Sequence, residues 1–134
     1  MKEYTVKVDG LTEEWYLNNE LVKEIKYYEN GQKMYEYYYL NGEYHREDGP
    51  AYQGWYENGQ KQYEKYCLNG KRHRENGPAC QWWYENGQKQ YESYYLNGKK
   101  VSKEEVMKPK KTINIGGKEV SEDTILIALK NYFK

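Results

Sequence analysis

The block YYENGQKMYEYYYLNGEYHREDGPA starts at residue 27, WYENGQKQYEKYCLNGKRHRENGPA at 55 and WYENGQKQYESYYLNG at 83. The step is 28 residues both times, without a gap. Such a chain must stack like unit on like unit, because each copy meets its neighbour through the same residues. A degenerate copy, WYLNNELVKEIK, precedes them at 15–26.

Each unit carries two hairpin signals: Asn-Gly at 30–31, 58–59 and 86–87, and again at 41–42, 69–70 and 97–98. That dipeptide supplies the positive φ angles of a type I′ turn. Between the turns the chain alternates. Lys61, Tyr63, Lys65 and Cys67 fall on one side of a strand, and Gln62, Glu64, Tyr66 and Leu68 on the other. The same phase holds at 32–40 and 88–96. The pattern predicts a mainly β fold of stacked antiparallel hairpins running as a meander.

The side chains available to pack that meander are unusual. The chain has 18 tyrosines and four tryptophans against one phenylalanine, and aliphatic residues gather at its two ends. Rings with a polar tip suit a thin, half-wet layer better than a deep oily core. Tyr35, Tyr37, Tyr39, Tyr63, Tyr91 and Tyr95 form one stripe, with Lys61, Lys65 and Lys89 among them and Glu36, Glu64 and Glu92 opposite. The stripe is either cross-strand packing or a partner surface, since tyrosine is prominent in interface hot spots. Stacking of single-stranded bases is a third use. Trp55, Trp82 and Trp83 are expected to be mostly buried.

YYENGQK followed by YYLNG resembles the MORN-type repeat, in the divergent form common in bacterial and phage proteins, some of them described as antitoxins. The resemblance covers about 27–98 and rests on the aromatic pair before ENG, the ENGQ turn and the aromatic-LNG hairpin. The HRE(D/N)GPA insert departs from the shorter MORN unit. Repeats of this type imply a binding or scaffolding module, and in this form an antitoxin or a phage inhibitor of host defence.

His45-Arg46-Glu47 and His73-Arg74-Glu75 have the residue types of acid–base or phosphate chemistry. Their setting argues for a connector instead. Asp-Gly-Pro and Asn-Gly-Pro turn the chain. Both copies carry the residues in one register, whereas a catalytic centre needs different groups converging on one point. The third copy replaces the segment with KKVSKEEV. No phosphate-binding loop, nucleophile elbow or metal-ligand pair is present. An enzyme is not expected, nor a cofactor or metal. Arg46 and Arg74 stay among the candidate partner-binding residues.

Charge narrows the partner. Residues 27–98 carry 8 basic and 10 acidic groups, against 9 and 5 in 99–134. A mildly acidic repeat block disfavours duplex nucleic acid, which needs a basic stripe. No apolar run approaches a membrane span. The two cysteines, Cys67 and Cys80, read as small apolar fillers rather than a bridge. A cytoplasmic protein is expected.

After the last hairpin the composition shifts. Ser102, with Glu105 three residues on, opens a short helix. Pro109 and its lysines, including Lys110 and Lys111, form a linker; TINIGGKEV reads as a β-hairpin and 121–134 as a second helix. The divisions are an N-terminal part at 1–26, repeats with a short helix at 27–108, and a ββα cap at 109–134. The last helix is the most apolar segment, so it caps the repeat sheet or docks on a second copy or a target. The reading is a non-enzymatic module that binds a protein; the alternative is a binder of single-stranded nucleic acid or nucleotides through tyrosine stacking.

Overall fold

The computed structural model describes residues 2–109 and 112–132. Lys110 and Lys111 of the expected linker, and the helix end at Phe133 and Lys134, lie outside the described residues. The chain is mainly β, as antiparallel hairpins with a short C-terminal helix.

Three strands, β1 (Tyr4–Asp9), β2 (Thr12–Leu17) and β3 (Glu20–Tyr27), lead into the repeats. The first copy supplies β4 (Lys33–Leu40), β5 (Glu43–Tyr44) and β6 (Tyr52–Trp55). The second supplies β7 (Lys61–Lys65), β8 (Cys67–Leu68), β9 (Lys71–Arg72) and β10 (Cys80–Trp83), and the third β11 (Lys89–Leu96) and β12 (Lys99–Val101). One ten-stranded sheet runs β1-β2-β3-β4-β6-β7-β10-β11-β12, with β5 on β4. Every pairing is antiparallel. Among the described residues only β8–β9 and the hairpin of β13 (Thr112–Ile115) and β14 (Lys118–Ser121) stand apart, which leaves little chain for a second layer.

The two turn families differ. In the LNG turns both residues are left-handed: Asn41, Asn69 and Asn97 have φ of 51, 50 and 51° ahead of positive-φ glycines, as a type I′ turn requires. The ENG turns correct the expectation of a second type I′ family. There only the glycine is left-handed, its N–H bonding the carbonyl three residues back (Gly59 to Tyr56 at 2.9 Å). Asn58 Oδ1 instead accepts from Gln60 N at 2.9 Å. Each such hairpin also carries a bulge, at 33–35, 61–63 and 89–91, the usual companion of a three-residue loop.

Side-chain rows hold the copies together. In register across the sheet, Ile25, Glu36, Gln53, Glu64, Gln81 and Glu92 share one face. Gln53 donates to Glu36 (3.1 Å) and Gln81 to Glu64 (2.7 Å). Alternating amide with carboxylate avoids the repulsion of adjacent acids. Lys33, Lys61 and Lys89 each add an ion pair to the glutamate three residues on. The bulges turn Lys61 and Lys89 onto this glutamate face, which corrects their expected place among the tyrosines; Lys65, beyond the bulge, stays with the rings. The turns stack too: Tyr28 Oη donates to Trp55 O (2.7 Å) and Tyr56 Oη to Trp83 O (2.8 Å).

The apolar core is correspondingly small: Ile25, Ala51, Cys67, Ala79, Cys80, Tyr94 and Val106. Trp55, Trp82 and Trp83 are mostly buried, as expected, but none completely, because a sheet this thinly covered has no interior deep enough to enclose an indole. Helix α1 (Lys103–Met107) packs on β11, with Ser102 Oγ accepting from Glu105 N, and buries Val106 where the third copy has no HRE loop. The β13–β14 hairpin and α2 (Glu122–Tyr132) fold back on the chain, where Ser121 and Thr124 bond to Glu75 and α2 lines a groove with the loops at 45–49 and 73–76.

Candidate binding face

The histidines and arginines of the HRE loops make structural contacts. His45 Nδ1 accepts from the backbone N–H of Asn69 at 2.9 Å, and His73 Nδ1 from Asn97 at 2.8 Å. Each imidazole thus ties its loop to the LNG turn of the following copy. Accepting at Nδ1 fixes the tautomer with the proton on Nε2, which lies 3.7 and 3.8 Å from Glu47 and Glu75. Arg46 lies over the Tyr38 ring (4.2 Å) and Arg74 over Tyr66 (3.9 Å). Their Nη1 atoms donate to Pro50 O and Pro78 O. Both arginines therefore sit on the glutamate face, away from the tyrosine stripe with which the sequence grouped them. Among the described residues no cluster of three or more His, Cys, Asp or Glu could hold a metal.

The other face is where the rings gather. Register places Tyr35, Gly54, Tyr63, Trp82 and Tyr91 in one row, and Tyr37, Tyr52, Lys65, Cys80 and Ser93 in the next. Tyr35 stacks on Tyr37 with centroids 4.2 Å apart, and the Tyr37 and Tyr63 hydroxyls meet at 2.8 Å. Tyr39 stacks on Tyr44 at 5.2 Å. Tyr44 and Tyr52 complete the cluster at 4.4 Å; the sequence reading missed both. They stand beyond the turn and beyond Pro50, where alternation restarts, and the signal for Tyr52 was its position beside Gly54.

Gly54 explains how the rows interlock. A Cβ there would lie 2.5 Å from the Tyr63 ring, so only glycine lets that ring cross β6 toward Tyr37. The second copy has Trp82 in the equivalent place, and the tyrosine paired with it, Tyr91 of the third copy, is 46 % exposed. Lys65 Nζ lies 5.0 Å from the Tyr52 ring centroid and 4.5 Å from that of Trp82. Arg72 lies over Tyr95 at 5.3 Å and donates to its hydroxyl at 3.3 Å.

These surroundings mark the titrations. Burial raises Tyr35, Tyr39 and Tyr63 well above the usual phenol range, with help from the Glu24 bond to Tyr35 and the Tyr37 bond to Tyr63. Burial pushes Tyr52 up to about 12. Tyr91 goes the other way, lowered by its bond to Ser93 and by Lys100. The Cys67 thiol is pushed up to about 11 by burial, consistent with an inert filler.

The copies differ unequally on the two faces. On the glutamate face, positions 36/64/92 are all Glu, 38/66/94 all Tyr, 53/81 both Gln and 46/74 both Arg. On the tyrosine face, 35/63/91 stay Tyr, but 37/65/93 read Tyr, Lys, Ser and 44/72/100 read Tyr, Arg, Lys. Positions 39/67/95 read Tyr, Cys, Tyr, while 52/80 are Tyr and Cys and 54/82 Gly and Trp. One face repeats and the other diverges.

Compared with protein-family models, with curated proteins and with solved structures, the chain finds no match.

Proposed function

We propose that this chain is a non-enzymatic protein-binding module and that the tyrosine face is its recognition surface. The divergence between copies carries the reading. Positions that join one copy to the next must keep their identity in every copy, as the Glu–Gln row, the stacked arginines and the histidines do. Positions released from that duty are free to adapt to something outside the chain. Here they read Tyr, Lys, Arg and Trp beside Ser, Cys and Gly, and Tyr, Arg and Trp are the residues that dominate interface hot spots.

The arrangement suits protein more than nucleic acid. Tyr35 stacks on Tyr37 and Tyr39 on Tyr44, so ring faces that bases would need are already used. Glu14 and Glu24 share the row of Tyr37, an unfavourable border for a phosphate backbone. An antitoxin or an inhibitor of host defence is the specific form that the repeat resemblance implies.

Photo-crosslinking separates the faces. A benzophenone amino acid at position 91 or 95 is expected to give protein adducts in nuclease-treated lysate of the source cell. The same group at position 62 or 90, on the bulges, is expected to give far fewer. Equal yields from all four, or adducts that vanish with nuclease, would refute the reading.

A further inference from the structure

Two cations stand together on the tyrosine face without a carboxylate. Lys65 on β7 lies between the Tyr52 and Trp82 rings, and Arg72 on β9 is bonded to Tyr95. Both are half-buried. Among the described residues every other lysine–carboxylate pair of the repeats is made on the glutamate face, by Lys33, Lys61 and Lys89. Neither Lys65 nor Arg72 enters an ion pair among the described residues. Partly desolvated charges are ordinarily matched by an opposite charge, and aromatic faces compensate only in part.

The pair belongs to one copy alone. The equivalent positions are Tyr37 and Tyr44 in the first copy, and Ser93 and Lys100 in the third. The contacts these cations make between copies, Lys65 over Tyr52 and Arg72 on Tyr95, are with rings and supply no opposite charge. The first copy holds a neutral pair at these positions, so the frame itself does not demand the dication.

Resting on the protein-binding reading above, we infer that Lys65 and Arg72 form a receptor for an acidic side chain of the partner, an Asp or Glu set between the Tyr52, Trp82 and Tyr95 rings. A carboxylate suits the geometry: the Arg72 guanidinium offers a planar fork and Lys65 a point charge beside it. Burial, and then the charge of Arg72, lowers the Lys65 pKa, the direction expected of an ammonium lacking a counter-ion. A bound carboxylate would reverse it. One carboxylate is the right size of ligand. Glu14 and Glu24 on the same face oppose a longer run of negative charge.

Selection from a random peptide display library tests this with the full-length protein as bait. Peptides bound to the tyrosine face, identified by their loss with Tyr91→Ala, are expected to share an Asp or Glu next to an aromatic or aliphatic residue. Their affinity should fall by about tenfold or more with Lys65→Met or Arg72→Gln. Lys61→Met, which breaks a pair on the opposite face, should leave it unchanged, and each variant is checked for an intact fold by its near-ultraviolet circular dichroism. Face-binding peptides without acidic enrichment, indifferent to both substitutions, would overturn the receptor while leaving the protein-binding reading standing. No peptide on the face, together with oligothymidylate binding that depends on Lys65 and Arg72, would overturn both.

Discussion

His73 Nδ1 accepts the backbone N–H of Asn97, 24 residues ahead in the sequence, at 2.8 Å. His45 and Asn69 make the same bond one copy earlier. The imidazole serves as a staple between repeats, and the HRE motif needs no chemistry to account for its recurrence. His73→Ala removes the acceptor from a buried site and is expected to cost about 1–3 kcal/mol. His45→Ala, at a half-buried site, should cost less. Urea unfolding of the two variants measures both values, and binding through the tyrosine face should survive in each.

Asn58 bridges copies by a second route. Its Oδ1 accepts from Gln60 N within the turn, while Nδ2 donates to Glu85 O of the next turn at 3.1 Å. Asn58→Asp keeps the first bond and loses the second; Asn58→Ala loses both. Stability should fall in that order, with a total loss of about 0.5–1.5 kcal/mol for alanine. An Asn58→Asp variant as stable as the unsubstituted protein would mean that the contact between copies adds nothing.

Gly54 has a different duty. Gly54→Ala places a methyl group against the Tyr63 ring, so the ring must swing out and the Tyr37–Tyr63 hydroxyl contact must break. The change should destabilise by about 1–3 kcal/mol, as overpacking does. A crystal structure or ring nuclear Overhauser effects would show Tyr63 exposed in the manner of Tyr91. An unmoved Tyr63 would contradict the close approach.

Much of this architecture is legible in the sequence. The 28-residue register, the hairpins and the alternation follow from local rules, because Asn-Gly turns and period-two patterning act over few residues. The face of a given lysine does not follow. A bulge adds one residue and reverses the phase beyond it, so Lys61 and Lys89 joined Glu64 and Glu92 although strict alternation put them with the rings. Arg46 and Arg74 were equally hidden: their stacking on Tyr38 and Tyr66 depends on how a loop folds back across a strand. The Gly54-to-Trp82 difference between copies was a visible signal that the tyrosine face is not uniform.

Stability should be bounded at both ends of the pH scale. Burial alone would raise Glu36, but bonds from Lys33 and Tyr38 and the charges of Lys33 and Lys23 hold it below its ordinary 4.5, and Lys89 does the same for Glu92. Depressed carboxylates stabilise the fold above that ordinary value, and the contribution is lost as pH falls through the folded-state values. Tyr38 and Tyr52 are raised from 10.0 to about 12, chiefly by burial. Their contribution is complete below 10.0 and lost as pH rises through about 12. Urea midpoints should form a plateau from roughly pH 5 to 10 and fall on either side, with tyrosinate absorbance appearing first from Tyr91 and vanishing from that early phase in Tyr91→Phe.

The C-terminal unit should be dispensable for the sheet. Among the described residues every buried apolar side chain lies between Ile25 and Val106. The β13–β14 hairpin and α2 are held to the repeats by Ser121 and Thr124, whose hydroxyls donate to Glu75 at 2.7 to 2.9 Å. Beyond those bonds, α2 lines a groove of about 890 Å³ with the two HRE loops, and its Leu126 and Leu129 are exposed. Truncation after Pro109 therefore removes a few part-exposed bonds and should cost less than about 2 kcal/mol. Truncation after Ser102 also removes Val106 and uncovers Tyr94, a loss of about 2–4 kcal/mol of the kind seen on emptying a core site. The two truncations, compared by urea unfolding and by the dispersion of their amide spectra, should rank clearly. If the longer one unfolds or aggregates like the shorter, the ββα unit covers more of the repeat sheet than its contacts with Glu75 and the loops account for.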